Sequence, residues 1–203
     1  MLQVRNFLIF SVVATTLTLT SCNAPATADT KTTAVQTEAN KMATSPEIEI
    51  APQEYATLAE ATIQKNASLD YDGWGAMLAD DVEFYYPDGD QDTRTKIIGK
   101  QSLLTWVKKA DISSGIKSST ISAFNTVPLK INKKMNAGAL NGFQVICFYT
   151  SNTSYNNGKS VSVRHNAVYH FNDNKLIDRI ANYYDRTPYI KIAGKNILDV
   201  AKK

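Results

Sequence analysis

The stretch Trp74-Gly75-Ala76-Met77-Leu78-Ala79-Asp80-Asp81-Val82-Glu83-Phe84-Tyr85-Tyr86-Pro87-Asp88-Gly89 changes its period midway. Trp74, Met77 and Leu78 are spaced as one face of a short helix, whereas Val82, Phe84 and Tyr86 alternate with Glu83 and Tyr85 as on a strand. Pro87-Asp88-Gly89-Asp90 then supplies turn chemistry that ends the strand. Before it, Asp70-Tyr71-Asp72-Gly73 breaks the chain, and Asp70 or Asp72 is placed to cap the helix by accepting from an orphan backbone N–H.

Working outward, Tyr55, Leu58, Ala59, Thr62 and Ile63 form the apolar face of an upstream helix, and a third helix starts near Lys100 and carries Leu103, Leu104, Trp106 and Val107. Four segments of strand character follow, at about 118–131, 139–151, 160–171 and 176–184. Asn136-Ala137-Gly138, Asn156-Asn157-Gly158 and Asn172-Asp173-Asn174 separate them as turns. Helices first and an antiparallel meander afterwards predict an α+β domain. No internal repeat is present.

Ahead of this domain, the apolar or hydroxylated run from Phe7 to Leu19, preceded by Arg5, is too short to span a bilayer core, which takes roughly 20 residues, and reads as a signal peptide. It ends in Leu19-Thr20-Ser21-Cys22, which resembles the cleavage and acylation site of bacterial lipoproteins. That resemblance implies a diacylglyceryl group on Cys22 and a membrane lipid as partner, several acyl chains giving the lasting attachment that one chain does not. The alternative is an ordinary secretory signal cut near Ala24 or Ala26. Asn23 to Pro52 lacks aromatic residues and sustained periodicity and is expected to be a disordered tether, with a reach of about 30 Å for about 30 residues. The expected organisation is thus signal peptide 1–21, acylated Cys22 and tether 22–53, folded domain 54–190 and a C-terminal tail 191–203, of which 189–203 has the pattern of a short amphipathic helix. Asn23 after the cysteine resembles the pattern of lipoproteins sent to the outer membrane in some Gram-negative bacteria. The expected location is the bacterial envelope, facing the periplasm.

Bulk composition excludes several classes. Among 203 residues the formal net charge is only +3, too small and scattered for nucleic-acid binding. The two cysteines are Cys22 and Cys147, so an acylated Cys22 leaves the domain without an internal disulfide.

The order of elements, with Trp74 to Phe84, Ile98-Gly99-Lys100-Gln101-Ser102-Leu103, His170-Phe171-Asn172-Asp173-Asn174-Lys175-Leu176-Ile177 and Tyr183-Tyr184-Asp185, resembles the nuclear transport factor 2-like superfamily, in particular its SnoaL-like branch, over about 54–188. The resemblance implies a curved antiparallel sheet wrapped on helices into a cone with an apolar pocket, and often a homodimer through the outer sheet face, where Tyr85, Phe148, Val168 and Tyr183 would lie. It implies no cofactor. The superfamily's steroid isomerases need a strand carboxylate and two oxyanion donors around one cavity; the matching positions here are Tyr86, Thr62 and Ala167, so that activity is rejected.

The same matching and the two-residue period of strands place Phe84, Tyr86, Phe143, Val145, Cys147, Val163, His165, Ala167, Tyr169, Ile180, Asn182 and Tyr184 inside the cone, with Trp106 closing over them. The pocket candidates are these residues less Ala167 and Ile180. His165 is the one inward imidazole. It is read either as a structural group bonded to Tyr86 or Asn182, as a ligand contact, or as a general acid or base; no carboxylate in the sequence pairs with it obviously, since Asp81 sits just before the first strand and Asp178 begins the last. Cys147 is expected to be a buried, inert thiol. No metal is expected: His165 and His170 fall on opposite strand faces. Asp88-Gly89-Asp90-Gln91-Asp92 opens like a calcium loop but continues with Thr93 and Gly99 where glycine and glutamate are required.

Three functions follow as expectations. A small apolar or aromatic molecule binds without chemistry; or a cofactor-free cyclase, dehydratase or hydrolase uses His165; or a dimerising assembly module keeps a cavity packed shut by Trp106, Tyr86 and Tyr184.

Overall fold

The structure is a computed structural model that describes residues 46–89, 93–133 and 140–201. The signal peptide, Cys22, most of the tether, the Asp90-Gln91-Asp92 part of the acidic loop and the Asn136-Ala137-Gly138 turn lie outside the described residues.

Helix α1 (Gln53–Ala67) buries Tyr55, Ala56, Ala59, Thr62 and Ile63, an i, i+4, i+8 stripe. Its buried Thr62 hydroxyl donates to the Leu58 carbonyl at 2.8 Å. The short helix α2 (Tyr71–Gly75) is capped by Asp70, which accepts from the Gly73 N–H at 2.9 Å and is held by Lys65 at 2.7 Å. The helix expected to run through Met77 and Leu78 ends earlier, because Leu78 opens strand β2 (Leu78–Tyr85) by pairing with Ile177.

Strand β3 (Lys96–Ile98), which the sequence reading missed, pairs with β2 and leads into Gly99. Gly99 takes φ +90°, the left-handed side of backbone space that suits glycine, and turns the chain into α3 (Lys100–Ser114). Leu103, Val107 and Ala110 bury one face of α3, and Gly115 ends it in the αL conformation. Strands β4 (Ile116–Ile131), β5 (Gly142–Tyr155), β6 (Ser160–Phe171) and β7 (Ile177–Tyr184) form the antiparallel meander.

The folded unit is larger at both ends than the pattern indicated. Ile48–Ile50, inside the stretch expected as tether, form strand β1 on β4, with Ile48 opposite Ile131. Three residues with Ile50 74% exposed carry no readable period; the strand is held by main-chain pairing, by Asn132 on Glu49 at 2.7 Å, and by the buried Ala51, whose N–H donates to the Pro128 carbonyl at 3.0 Å. At the other end α4 (Thr187–Ala193) runs across the expected domain end at 190 and α5 (Ile197–Ala201) lies in the expected tail, with Leu198 of α5 buried in the core.

The resulting sheet has the order β1-β4-β5-β6-β7-β2-β3, with β2 and β7 parallel and every other pair antiparallel. Helices α1 and α3 fill its concave side, α1 on β4 and β5, α3 on β2. At one end Tyr55 stacks on Phe143 (4.1 Å between centroids) and meets Phe171 edge-on (5.2 Å). The architecture is α+β with a curved open sheet.

Because Leu198 contributes to that core, Leu198→Ala should lower unfolding stability by about 2–3 kcal/mol. Urea unfolding followed by circular dichroism measures it, and an unchanged midpoint would mean that α5 rests on the domain without stabilising it.

Candidate functional site

The concave side holds a cavity of about 190 Å³. An engineered cavity of about 150 Å³ accepts benzene, so this one has room for a single ring with a short substituent.

Strand β5 sets its position. Inward residues alternate along β5, and the strand runs on to Tyr155, beyond the expected end at 151. Tyr149, Ser151, Thr153 and Tyr155 therefore line the cavity, while Phe143, Val145 and Cys147 point to the same side near the other end. Those three pocket expectations are corrected: Phe143 stacks on Tyr55, and Val145 and Cys147 are fully buried in the core. Burial pushes the Cys147 thiol up to about 12, which leaves it protonated and inert. Val163 is buried opposite Ser151 and also stays off the cavity wall. Phe84, Tyr86, Trp106, His165, Tyr169, Asn182 and Tyr184 are brought together on that wall. Trp106 meets the Tyr86 ring edge-on at 5.2 Å, and the Tyr184 hydroxyl donates to that of Tyr86 at 3.1 Å.

His165 lies between the rings of Tyr149 (4.9 Å, stacked) and Tyr184 (4.2 Å). Its Nε2 is bonded to the Ser151 hydroxyl at 3.0 Å and the Tyr189 hydroxyl at 2.9 Å, and those two hydroxyls are bonded to each other. The expected partners, Tyr86 and Asn182, are thus replaced by Ser151, four positions beyond the expected inward set on β5, and by Tyr189 of α4. Burial pushes the His165 pKa down to about 4, so the imidazole is neutral through the physiological range. Through Nε2 the imidazole ties α4 to the sheet, its buried Nδ1 has no hydrogen-bond partner among the described residues, and so weak a base is poorly suited to general-base work near pH 7.

The titratable group that the pattern missed is Asp111 of α3, which lines the cavity and accepts from the Tyr71 hydroxyl at 3.1 Å. Burial raises its carboxyl to about 6. The signal was present in the sequence: Asp111 follows Leu103 and Val107 at four-residue steps, which puts a carboxylate on the buried face of α3. The carboxylates considered earlier lie elsewhere. Asp81 is exposed, and Asp178 holds His170 Nδ1 at 2.5 Å while His170 Nε2 donates to the Asn141 carbonyl at 2.8 Å. Among the described residues no cluster of three or more His, Cys, Asp or Glu is placed to hold a metal ion.

A curved sheet wrapped on helices around an aromatic cavity is the arrangement that the resemblance to the nuclear transport factor 2-like superfamily implied. Solved structures share it. A candidate polyketide cyclase of Xanthomonas campestris pv. campestris matches over 70% of this chain and 97% of its own, with 18% identity and a TM-score of 0.53. A candidate isomerase of Bacillus subtilis matches over 70% and 96%, with 17% identity and a TM-score of 0.52. A candidate polyketide cyclase of Silicibacter sp. matches over 70% and 97%, with 18% identity and a TM-score of 0.51. At such identities the likeness is one of fold. No family model matches the sequence, and no curated protein does.

Asp111 and His165 affect stability with opposite signs in one pH window. The folded pKa of Asp111 is raised, so its burial costs the fold roughly 2–3 kcal/mol once pH exceeds 6, and this cost disappears as pH falls towards 4. The folded pKa of His165 is depressed, so stability is lost as pH falls from about 6.5 to about 4. The two slopes offset each other. Asp111→Asn should therefore be more stable than the parent at pH 7.5 and lose that advantage steadily between pH 6 and 4, in urea unfolding measured across the range. Parallel pH profiles for the two proteins would show that Asp111 is not buried as described.

Proposed function

We propose that the protein is a lipid-anchored envelope protein whose cone domain binds a small, mostly apolar or aromatic molecule of about one ring. The observation that carries this reading is the cavity, which stays open to His165 although Trp106, Tyr86 and Tyr184 pack on one another. A packed-shut assembly module would have filled that space. An apolar wall with a few oriented polar atoms is the usual make-up of a small-molecule site. The similar structures described as candidate cyclases and a candidate isomerase favour a small organic ligand as well.

Native mass spectrometry of the full chain tests the reading. The parent protein should carry a retained or added one-ring compound, and Ala110→Phe, which puts a ring into the cavity from α3, should not. Identical unliganded spectra for both, with single-ring aromatics added, would remove the binding function. The same spectra give the subunit count. The exposed outward residues Phe148 and Tyr183 support a homodimer as part of the proposal.

Anchoring rests on Leu19-Thr20-Ser21-Cys22. Cys22→Ser should move the protein from the membrane fraction to the soluble one, and unchanged fractionation would end the lipoprotein reading.

One observation favours a second reading, in which the cone catalyses a proton transfer. Asp111, with its carboxyl near 6, is a better general base at neutral pH than His165 near 4. On that reading Asp111→Asn lowers turnover by about 100-fold or more, and His165→Gln leaves most of it. The reverse order would return the chemistry to His165.

A further inference from the structure

Among the described residues five polar residues are buried: Thr62, Ser151, Thr153, His165 and Asn182. Four of them have side-chain partners. Thr62 donates to the Leu58 carbonyl, Thr153 is bonded to Ser119 at 3.0 Å, and Ser151 and His165 are bonded to each other and to Tyr189. Asn182, 8% exposed, differs. Its main-chain carbonyl accepts from Arg94 at 2.8 Å, but its side-chain amide has no hydrogen bond among the described residues. Nor are the amide oxygen and nitrogen sealed in protein, as the unpartnered His165 Nδ1 and Arg179 Nε are, so they open on the cavity that Asn182 lines.

Strand register sets this amide among the aromatic residues of the wall. Ala167 of β6, directly opposite, offers it only a methyl group. On the other side Tyr85 pairs with Ala181, so Tyr86 follows beside Asn182, and the Tyr86 hydroxyl takes its hydrogen bond from Tyr184. Ile180 and Tyr184 flank Asn182 along β7 and line the same cavity. An amide in such surroundings loses hydration without gaining a partner, and an aliphatic side chain would cost the fold less. The amide therefore serves something that enters the cavity. It holds a donor and an acceptor side by side in one plane, and so pairs edge to edge with a group that offers an acceptor and a donor at the same spacing. A carboxamide has that edge, whereas a ketone has only the acceptor.

We propose that the cavity binds an aromatic amide, a single ring bearing a carboxamide, through two hydrogen bonds to the Asn182 side chain. This rests on the small-molecule reading given above and names its ligand class. The ligand N–H donates to Asn182 Oδ1, and the ligand carbonyl accepts from the Nδ2 amide hydrogen. The ring lies among Phe84, Tyr86 and Trp106, whose faces and edges suit aromatic packing. A ring with a carboxamide is a single ring with a short substituent, which the volume of about 190 Å³ admits. Arg186 also lines the cavity, with one guanidinium nitrogen on Asn196 at 3.2 Å, so a ring carboxylate is the competing occupant.

Isothermal titration calorimetry of the full chain in mild detergent tests the proposal with three probes that differ only in the group on the ring. They are benzamide (donor and acceptor), acetophenone (acceptor only) and benzoate (a charged acceptor). Benzamide should bind about tenfold tighter than acetophenone, the gain expected when an N–H donor replaces a methyl group that faces the Asn182 oxygen. Asn182→Leu keeps the branched skeleton and puts methyl groups in place of the amide atoms, so benzamide and acetophenone should bind this variant alike. A preference for benzamide that survives in the variant would overturn the assignment to Asn182. If acetophenone binds the parent protein as tightly as benzamide, the amide assignment is overturned and the one-ring pocket stands. If benzoate binds tightest, Arg186 is the anchor and the amide assignment is overturned as well. If none of the three binds the parent protein, both readings are overturned. The comparison of probes on the parent protein is decisive even where the variant folds poorly.

Discussion

The parallel pairing of β2 with β7 joins the two halves of the chain. Leu78 sits opposite Ile177 and Phe84 opposite Ile180, with a register shift between Leu78 and Glu83, and all four of the paired apolar residues are buried. Without that pairing β2 and β3 would be cut off from the meander, and only β1 would join the N-terminal half to its sheet. Its outer face is secured by Glu83, which binds Lys96, Arg179 and the Tyr85 hydroxyl, and these contacts hold its carboxyl down at about 2. Its inner face presents Phe84 and Ile180 to the cavity, and the chain beyond carries Tyr86 and Tyr184 into the same wall. The register that closes the fold therefore also places the site.

Most of the architecture was legible because it follows from long periodic segments. The stripe on α1, the Leu103 and Val107 face of α3 and the alternation of the four meander strands each involve enough residues for the period to show. What escaped was short or non-periodic. β1 and β3 have three residues each and are held largely by main-chain bonds that any side chain permits. The end of α2 was misplaced because Leu78 suits a helical face and a strand equally, and only its distant partner Ile177 decides between them.

For the site, the inward face was read correctly and the depth was not. Alternation says which side a residue faces, but where along the strand the packed core gives way to a cavity depends on α1, whose Tyr55 fills the end near Phe143. Asp111 was legible in principle as a carboxylate on an apolar helical face. Tyr189 and Arg186 were not, since their approach depends on how the segment after β7 folds back over the wall. Of the three readings of His165, the bridge from its Nε2 to Ser151 and Tyr189 fits the structural one, with other partners than Tyr86 and Asn182.

The free side of β4 carries one more consequence. Among the described residues β1 covers only Leu129 to Ile131 of a strand that begins at Ile116, so much of that sheet edge has no described strand beside it. An unpaired edge invites another chain to add to it. Here Ala123 takes φ +54° where the register with β5 shifts between Ser122 and Asn125, which bends the edge, and Pro128 offers no N–H to a newcomer. Lys117 adds charge along the uncovered part. The border is thereby made unreceptive to strand addition.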